Sequence, residues 1–244
     1  MTRIASRHKS FYSAPRKQPN LTTPASSSWI MSDNPQGNSI GKSLMRRLHA
    51  PIYEKRIAVL SDVIAAQLQE NDVVLDVGCG GGMLGKAIMN VPRCPQGVRV
   101  IGLENHPRGG EAIEVTAYDG RTFPHADKSV DVVILADVLH HEPEPQRLIN
   151  EAIRVSRRLV FIKDHKVEGL LAQQRISFLD WAANTGYNVV CLFRYHSPRG
   201  WKEFIAGFPV KLRQEITTMN LYPPFFNLVF GRKLHYCAVL DTRA

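Results

Sequence analysis

Five short, almost wholly apolar runs punctuate the middle of this chain: VVLDV at 73–77, VRVIGL at 98–103, IEVTAY at 113–118, VDVVILA at 130–136 and RLVFIK at 158–163. Each is too short for an ordinary helix, is rich in Val and Ile, and is followed by turn-forming residues. Their apolar positions are continuous instead of alternating, as strands buried on both faces require. Segments with helical spacing lie between several of them, at 83–90 and 144–155. In the second, Leu148, Ile149, Ala152, Ile153 and Val155 make one stripe. Strand–helix–strand repetition predicts an α/β fold: a Rossmann-like, doubly wound, mostly parallel sheet with helices on both faces.

The flanks complete the expected elements. Residues 42–69 place Leu44, Leu48, Ile52, Ile57, Leu60, Val63, Ile64 and Leu68 at helical spacings, with Pro51 interrupting. That pattern predicts two helices, the second from about Tyr53 to Leu68. Residues 167–184 read as a helix, YNVVCLFRY (187–195) as a sixth strand, and KLHYCAVL (233–240) as a seventh. SPRGWKEFIAGF (197–208) predicts a Ser-capped helix with proline at its first position. No composition shift marks a second globular domain, so residues 40–244 read as one, with a substrate-shaping segment at about 164–232.

The first 39 residues differ from all of this. They are rich in Ser, Pro, Asn and basic residues, poor in large apolar ones, and predict a disordered tail. An Arg- and Ser-rich, acid-free leader resembles a mitochondrial or other organelle transit peptide. The composition favours the plainer reading, an over-long gene model or a dispensable tail with Met31 as the real start, and a cytoplasmic protein.

Charge changes the picture less than its size suggests. The net charge is +9 over 244 residues, but Arg3, Arg7, Lys9, Arg16 and Lys17 supply five of those charges within the acid-free first 32 residues. The mildly basic remainder has no basic run interleaved with aromatics, which argues against a nucleic-acid partner. No apolar stretch reaches the length of a membrane span. Cys79, Cys94, Cys191 and Cys237 are scattered, with no zinc spacing, so free thiols and no metal are expected.

Chemistry concentrates where the first strand ends. Asp76-Val77-Gly78-Cys79-Gly80-Gly81-Gly82 joins a strand to a helix, and glycine there permits positive φ and lets a ligand approach the backbone. Glu104 ends the second strand, where an acid can accept hydrogen bonds from both hydroxyls of a ribose. Together they predict an adenosine-type ligand, either NAD or S-adenosylmethionine. Dinucleotide sites prefer G-x-G-x-x-G, whereas this chain reads Gly78-x-Gly80-x-Gly82. Asp76 is awkward beside a pyrophosphate and useful beside a cationic amino-acid portion, which tilts the choice to the sulfonium cofactor.

From about Asp72 to Lys163 the chain resembles the class I S-adenosylmethionine-dependent methyltransferases. It is nearest the small-molecule group that includes the ubiquinone and menaquinone biosynthesis methylases (methyltransferase type 11). The resemblance runs through DVGCGGG, GLE, YDGRTFPHADKSVDVVILADVLHH and RLVFIKDH. It implies that Asp76, Gly78, Cys79, Gly80 and Gly82 hold the methionine portion and that Glu104 binds ribose. It further implies that Asp119, with Gly120 beside it, lies near the adenine. Through the DVLHH segment, the resemblance implies that Asp137, His140 and His141 line cofactor and substrate. No Asn/Asp-Pro-Pro-Tyr/Phe follows the fourth strand, which argues against methylation of amino groups on adenine, cytosine or glutamine.

The expected reaction is in-line transfer of a methyl group to a small-molecule acceptor, with proximity and alignment carrying much of the catalysis. His165, just past strand five, and the His140/His141 pair are the candidate bases, and Asp164 is placed to orient His165. Phe178, Trp181, Tyr187, Tyr195, Trp201 and the YPPFF run at 222–226 supply aromatics for an aromatic or lipophilic acceptor, with Trp181, Tyr195 and Trp201 as the chosen substrate residues. Three other readings remain: an RNA or protein methyltransferase using Arg194, Arg199, Lys202 and Lys211, a non-catalytic cofactor-binding partner protein, and an NAD-dependent oxidoreductase.

Overall fold

The computed structural model describes residues 39–184, 191–231 and 233–243, and side chains from residue 52 onward except that of residue 183. The expected tail, Leu44 and Leu48, and the 187–190 part of the expected sixth strand lie outside the residues or side chains described. Seven strands form one sheet in the order β3-β2-β1-β4-β5-β7-β6. These are β1 (Val73–Val77), β2 (Arg99–Glu104), β3 (Glu114–Ala117), β4 (Val130–Ala136), β5 (Ser156–His165), β6 (Lys211–Ile216) and β7 (His235–Asp241). Strands β1 to β5 are parallel, and β7 runs antiparallel between β5 and β6.

The continuous apolar runs have their explanation in the two faces of this sheet. Leu75, Val77, Val133, Leu135, Val160 and Ile162 belong to one core, together with Leu148, Ile149 and Ala152 of helix α3 (Pro145–Val155). Val74, Val132, Ile134, Leu159 and Phe161 belong to the other, with Leu60 and Ile64 of α1 (Ser39–Ala65) and Ile88 of α2 (Met83–Asn90). Alternate side chains of one strand point to opposite faces, so a strand covered on both sides needs apolar residues at every position.

Three expectations need correction. The helix before β1 is one helix, not two, and passes through Pro51. A proline removes a single hydrogen-bond donor, and Ile57, Leu60 and Ile64 fix the second half against the sheet. The sixth strand is Lys211–Ile216, while Cys191–Tyr195 form no strand. An edge strand has a solvated face, so KLRQEI, mostly exposed, carries none of the apolar signal of the inner strands. Helix α4 (Ala172–Asn184) starts five residues later than expected because Val167 N–H donates to His196 O (2.9 Å) and Gly169 adopts φ +99°. Helix α5 (Pro198–Ala206) starts as expected, Ser197 Oγ accepting from Gly200 N–H. A short α6 (Pro224–Phe230) precedes β7. Among the described residues no helix is long and apolar enough to cross a membrane.

Candidate active site

Strands β1 and β4 are neighbours at the point where the strand order reverses, the place where open α/β sheets bind ligands. Asp76, one residue before the end of β1, is buried, and its Oδ2 has no hydrogen-bond partner. Burial, aided by the charge of Glu104 and opposed by Arg56, pushes its carboxyl up to about 7. The glycine turn follows, with Gly78, Gly80 and Gly82 all at positive φ. At Gly78 a Cβ would stand 2.8 Å from Val138 Cγ2, so the turn packs against the chain leaving β4. At Gly80 (φ +53°) a Cβ would meet nothing within 4 Å, which leaves one face of the turn open to a ligand. Gly82 is the residue preceding α2.

Glu104 joins this turn directly. Its Oε2 accepts from Gly80 N–H (2.9 Å) and its Oε1 from His106 N–H (3.1 Å). Cys79 turns its Sγ against Gly102 of β2, and burial pushes the thiol up to about 12. The same Sγ lies 3.8 Å from Gly80 O, so the thiol packs inside the turn. Asp119 lies after β3, next to Tyr118, whose N–H donates to Glu104 O (3.2 Å). Its exposed carboxylate accepts from Thr122 N–H (2.9 Å) and Arg121 N–H (2.7 Å), and those bonds hold it below its usual range. Gly120 (φ +72°) offers its carbonyl to Arg147.

Asp137 directly follows β4, in the left-handed region at φ +56°. Its carboxylate pairs with Arg56 of α1 and with Lys163 of β5, and lies 3.7 Å from His165 Nε2. Burial opposes ionisation, but Lys163 and Arg56 hold this carboxyl well below the usual carboxylate range. Lys163 is itself fully buried. The Asp137 side chain, expected to line cofactor and substrate, pairs with these two cations. Only Lys163 carried a signal, as the lone charge late in an apolar run; Arg56 carried none.

Beyond β4 and β5 lies a histidine cluster. His140, in the 3₁₀ turn Leu139–His141, has its Nδ1 2.7 Å from Asp164 Oδ1. Its Nε2 is 3.4 Å from Asp180 Oδ1 of α4, and His141 Nε2 is 3.5 Å from the same oxygen. Burial disfavours the charged ring of His140, yet Asp164 and Asp180 raise it to about 10. His165 is the reverse case: burial and the Lys163 charge keep it well below its ordinary value, hence neutral. Its Nδ1 is buried without a partner. Its backbone is held by Trp201 Nε1–H donating to His165 O (2.9 Å) and His165 N–H donating to Asp164 Oδ1 (2.6 Å).

A cavity of about 380 Å³ opens here, lined by His140, His165, Tyr195, Trp201, Phe204 and Arg194 among others. Two of the three chosen substrate aromatics line it. Trp181 does not; it lies exposed on α4 beside Phe178. Tyr222 packs in the sheet core and Phe225 is exposed, so the YPPFF run does not line the cavity either. Tyr187 is outside the described residues. Asp180, which accepts from Tyr195 O–H (2.7 Å), was missed because a single acid inside an apolar helix pattern reads as a solvated face.

A parallel sheet with an adenosine-suited glycine turn at its switch point, next to a histidine-lined cavity, defines a Rossmann-like enzyme. Residues 75–159 match a family model described as a methyltransferase domain. An uncharacterized methyltransferase of Mycobacterium leprae (strain Br4923) is 28% identical over 197 residues, 61% of this chain and 70% of that relative. A chain of the Haloferax volcanii complex between the Trm112 methyltransferase activator and a methyltransferase has a TM-score of 0.59 at 14% identity, over 83% of this chain and 96% of that one. A SAM-dependent methyltransferase from Aquifex aeolicus has a TM-score of 0.52 at 17% identity, covering 82% of this chain and 97% of that one. At such identities the solved structures speak for the fold. Residues 75–159 thus carry a methyltransferase domain, inside a fold shared with solved S-adenosylmethionine-dependent methyltransferases.

Proposed function

We propose that this enzyme binds S-adenosylmethionine at the glycine turn and methylates a small molecule held in the cavity beyond β4 and β5. The observation that carries this reading is the placement of an apolar-walled cavity next to the turn, the two connected through the segment Val138–His140. When bound, the cofactor supplies a methyl group on a sulfonium, already activated for in-line displacement. Ile40–Ala244, one compact unit, form the whole catalytic domain in this reading.

The chain's own groups divide the work. The unpartnered Asp76 Oδ2 suits the cofactor's ammonium group, and Glu104 suits its ribose hydroxyls. Asp119 and Gly120 suit the adenine in this reading, because Tyr118 beside them is tied to Glu104. Trp201 and Phe204 give the acceptor apolar walls, Arg194 and Tyr195 give it polar ones. His165, neutral and lacking a partner at Nδ1, accepts the acceptor's proton. Incubating the protein with methyl-labelled cofactor and fractionated extract tests the proposal. Label in a low-molecular-weight product supports it, and label confined to RNA or protein overturns the small-molecule class.

Gly80 separates a ligand contact from a fold contact. Gly80→Ala is expected to cost about 1 kcal/mol of stability, the penalty for a side chain at positive φ, since its Cβ meets no protein atom. Calorimetric binding of S-adenosylhomocysteine should weaken at least about tenfold. Unchanged affinity would place the cofactor elsewhere.

Asp76 sets a pH dependence. Its folded carboxyl, near 7, lies above the ordinary carboxylate range, so the protonated form favours the free fold. That contribution is complete below about pH 4 and is lost as pH rises through 7. A cationic ligand beside Asp76 reverses the preference. Affinity for S-adenosylhomocysteine should therefore rise between pH 6 and 8, with proton release into the buffer, and Asp76→Asn should flatten the profile.

A further inference from the structure

The turn after β4 and helix α4 bring two imidazoles and a carboxylate to one point. His140 Nε2 and His141 Nε2 lie 3.4 and 3.5 Å from Asp180 Oδ1, and the three donor atoms are all within 4.8 Å of one another. We propose that His140, His141 and Asp180 bind a divalent transition-metal ion of the zinc type. Bonds of about 2.1 Å to a tetrahedral centre set ligand atoms about 3.4 Å apart, which is the spacing of both histidines from Asp180. Two imidazoles and one carboxylate suit zinc, iron, cobalt or nickel, whereas magnesium and calcium take oxygen ligands.

The surroundings of the triad are those of a metal site. His140 uses its other nitrogen, Nδ1, on Asp164 Oδ1 at 2.7 Å, which directs the Nε2 lone pair towards the ion and fixes the ring. Asp180 is oriented in turn, by Tyr195 O–H on Oδ2 (2.7 Å) and Asn184 Nδ2–H on Oδ1 (2.8 Å). Asp164 and Asp180 place two negative charges next to a cation of charge two. A second grouping, Asp137 with His140 and His165, is geometrically compact but poorer. Arg56 and Lys163 already pair with Asp137, so two positive charges stand against an ion there.

No local spacing announces the triad, because Asp180 is far from His141 in the chain. The absence of a zinc motif, from which no metal was expected, therefore says nothing about this set. His140 and Tyr195 also line the cavity, so the ion sits in its wall. Three protein ligands leave a tetrahedral ion one position for water or an acceptor oxygen.

The test uses the full chain, stripped with a chelator and titrated with Zn²⁺ and, separately, Co²⁺. The expected result is uptake of one ion per chain, a visible Co²⁺ absorption typical of low coordination number, and a raised melting temperature. His141→Ala, at a partly exposed position, and Asp180→Asn should each weaken metal binding at least about tenfold with unchanged far-ultraviolet circular dichroism. Asp164→Asn should weaken it about 10–100-fold. No uptake by the parent protein overturns the proposal. So does undiminished binding by His141→Ala, with His140 then acting only as a bridge between two carboxylates. Binding of S-adenosylhomocysteine, measured on the same stripped protein, reports on the cofactor site separately from the metal.

Discussion

Replacing Asp137 by alanine is expected to lower the unfolding free energy by about 3–5 kcal/mol, the cost of leaving buried charge without its partner. Lys163 is fully buried in the middle of the sheet, and Arg56 is mostly buried against it; both point their charge at this one carboxylate. Without it, the Lys163 and Arg56 charges repel each other with no carboxylate between them. Urea unfolding reads the loss as a lower midpoint at unchanged slope. Adding Lys163→Met should recover most of it, because the uncompensated ammonium is then gone. Asp137→Gly should lose about 1 kcal/mol less than the alanine variant, since glycine adopts φ +56° without strain. An alanine variant as stable as the parent would show that Asp137 does not hold these cations.

Replacing His165 by glutamine is expected to reduce turnover about 100-fold, the lower end of what a positioned base contributes, while affinity for S-adenosylhomocysteine changes less than about twofold. The imidazole lines the cavity beyond β4 and β5, whose lining includes no residue of the glycine turn. Its backbone is clamped by Trp201 and Asp164, so the substitution removes a ring nitrogen without releasing the strand end. Single-turnover transfer to the acceptor, compared with calorimetric cofactor binding, separates the two effects. A fall in cofactor affinity matching the fall in rate would assign His165 to binding and leave the base role without support.

Particular elements show why some of this was legible in advance. The VVLDV and VDVVILA runs were readable as strands to the residue because both of their faces are buried, and double burial writes itself into every position. The glycine turn and Glu104 were readable because they are local: one connection and one strand end, brought together by neighbouring parallel strands. The edge strand Lys211–Ile216 was not readable, since solvent on one side removes the pattern that betrays its inner neighbours. Trp181 misled for a related reason. Aromatic content says that a segment packs somewhere, and only the rotation of α4 decides that Trp181 points out while Asp180 points in.

The candidate site divides along the same line. The amino-acid sequence by itself determined the five parallel strands, the glycine turn and the acids beside it. Each of these depends on contacts between residues close in the chain or on a burial pattern repeated along one strand. Only the tertiary structure decided that Arg56 and Lys163 claim Asp137, that Asp164 and Asp180 flank His140, and that Trp201 holds the His165 backbone. Those partners come from α1, β5, α4 and α5. A charge or an imidazole acquires its protonation state and its task from the burial and the neighbours that folding supplies, and a linear spacing carries neither.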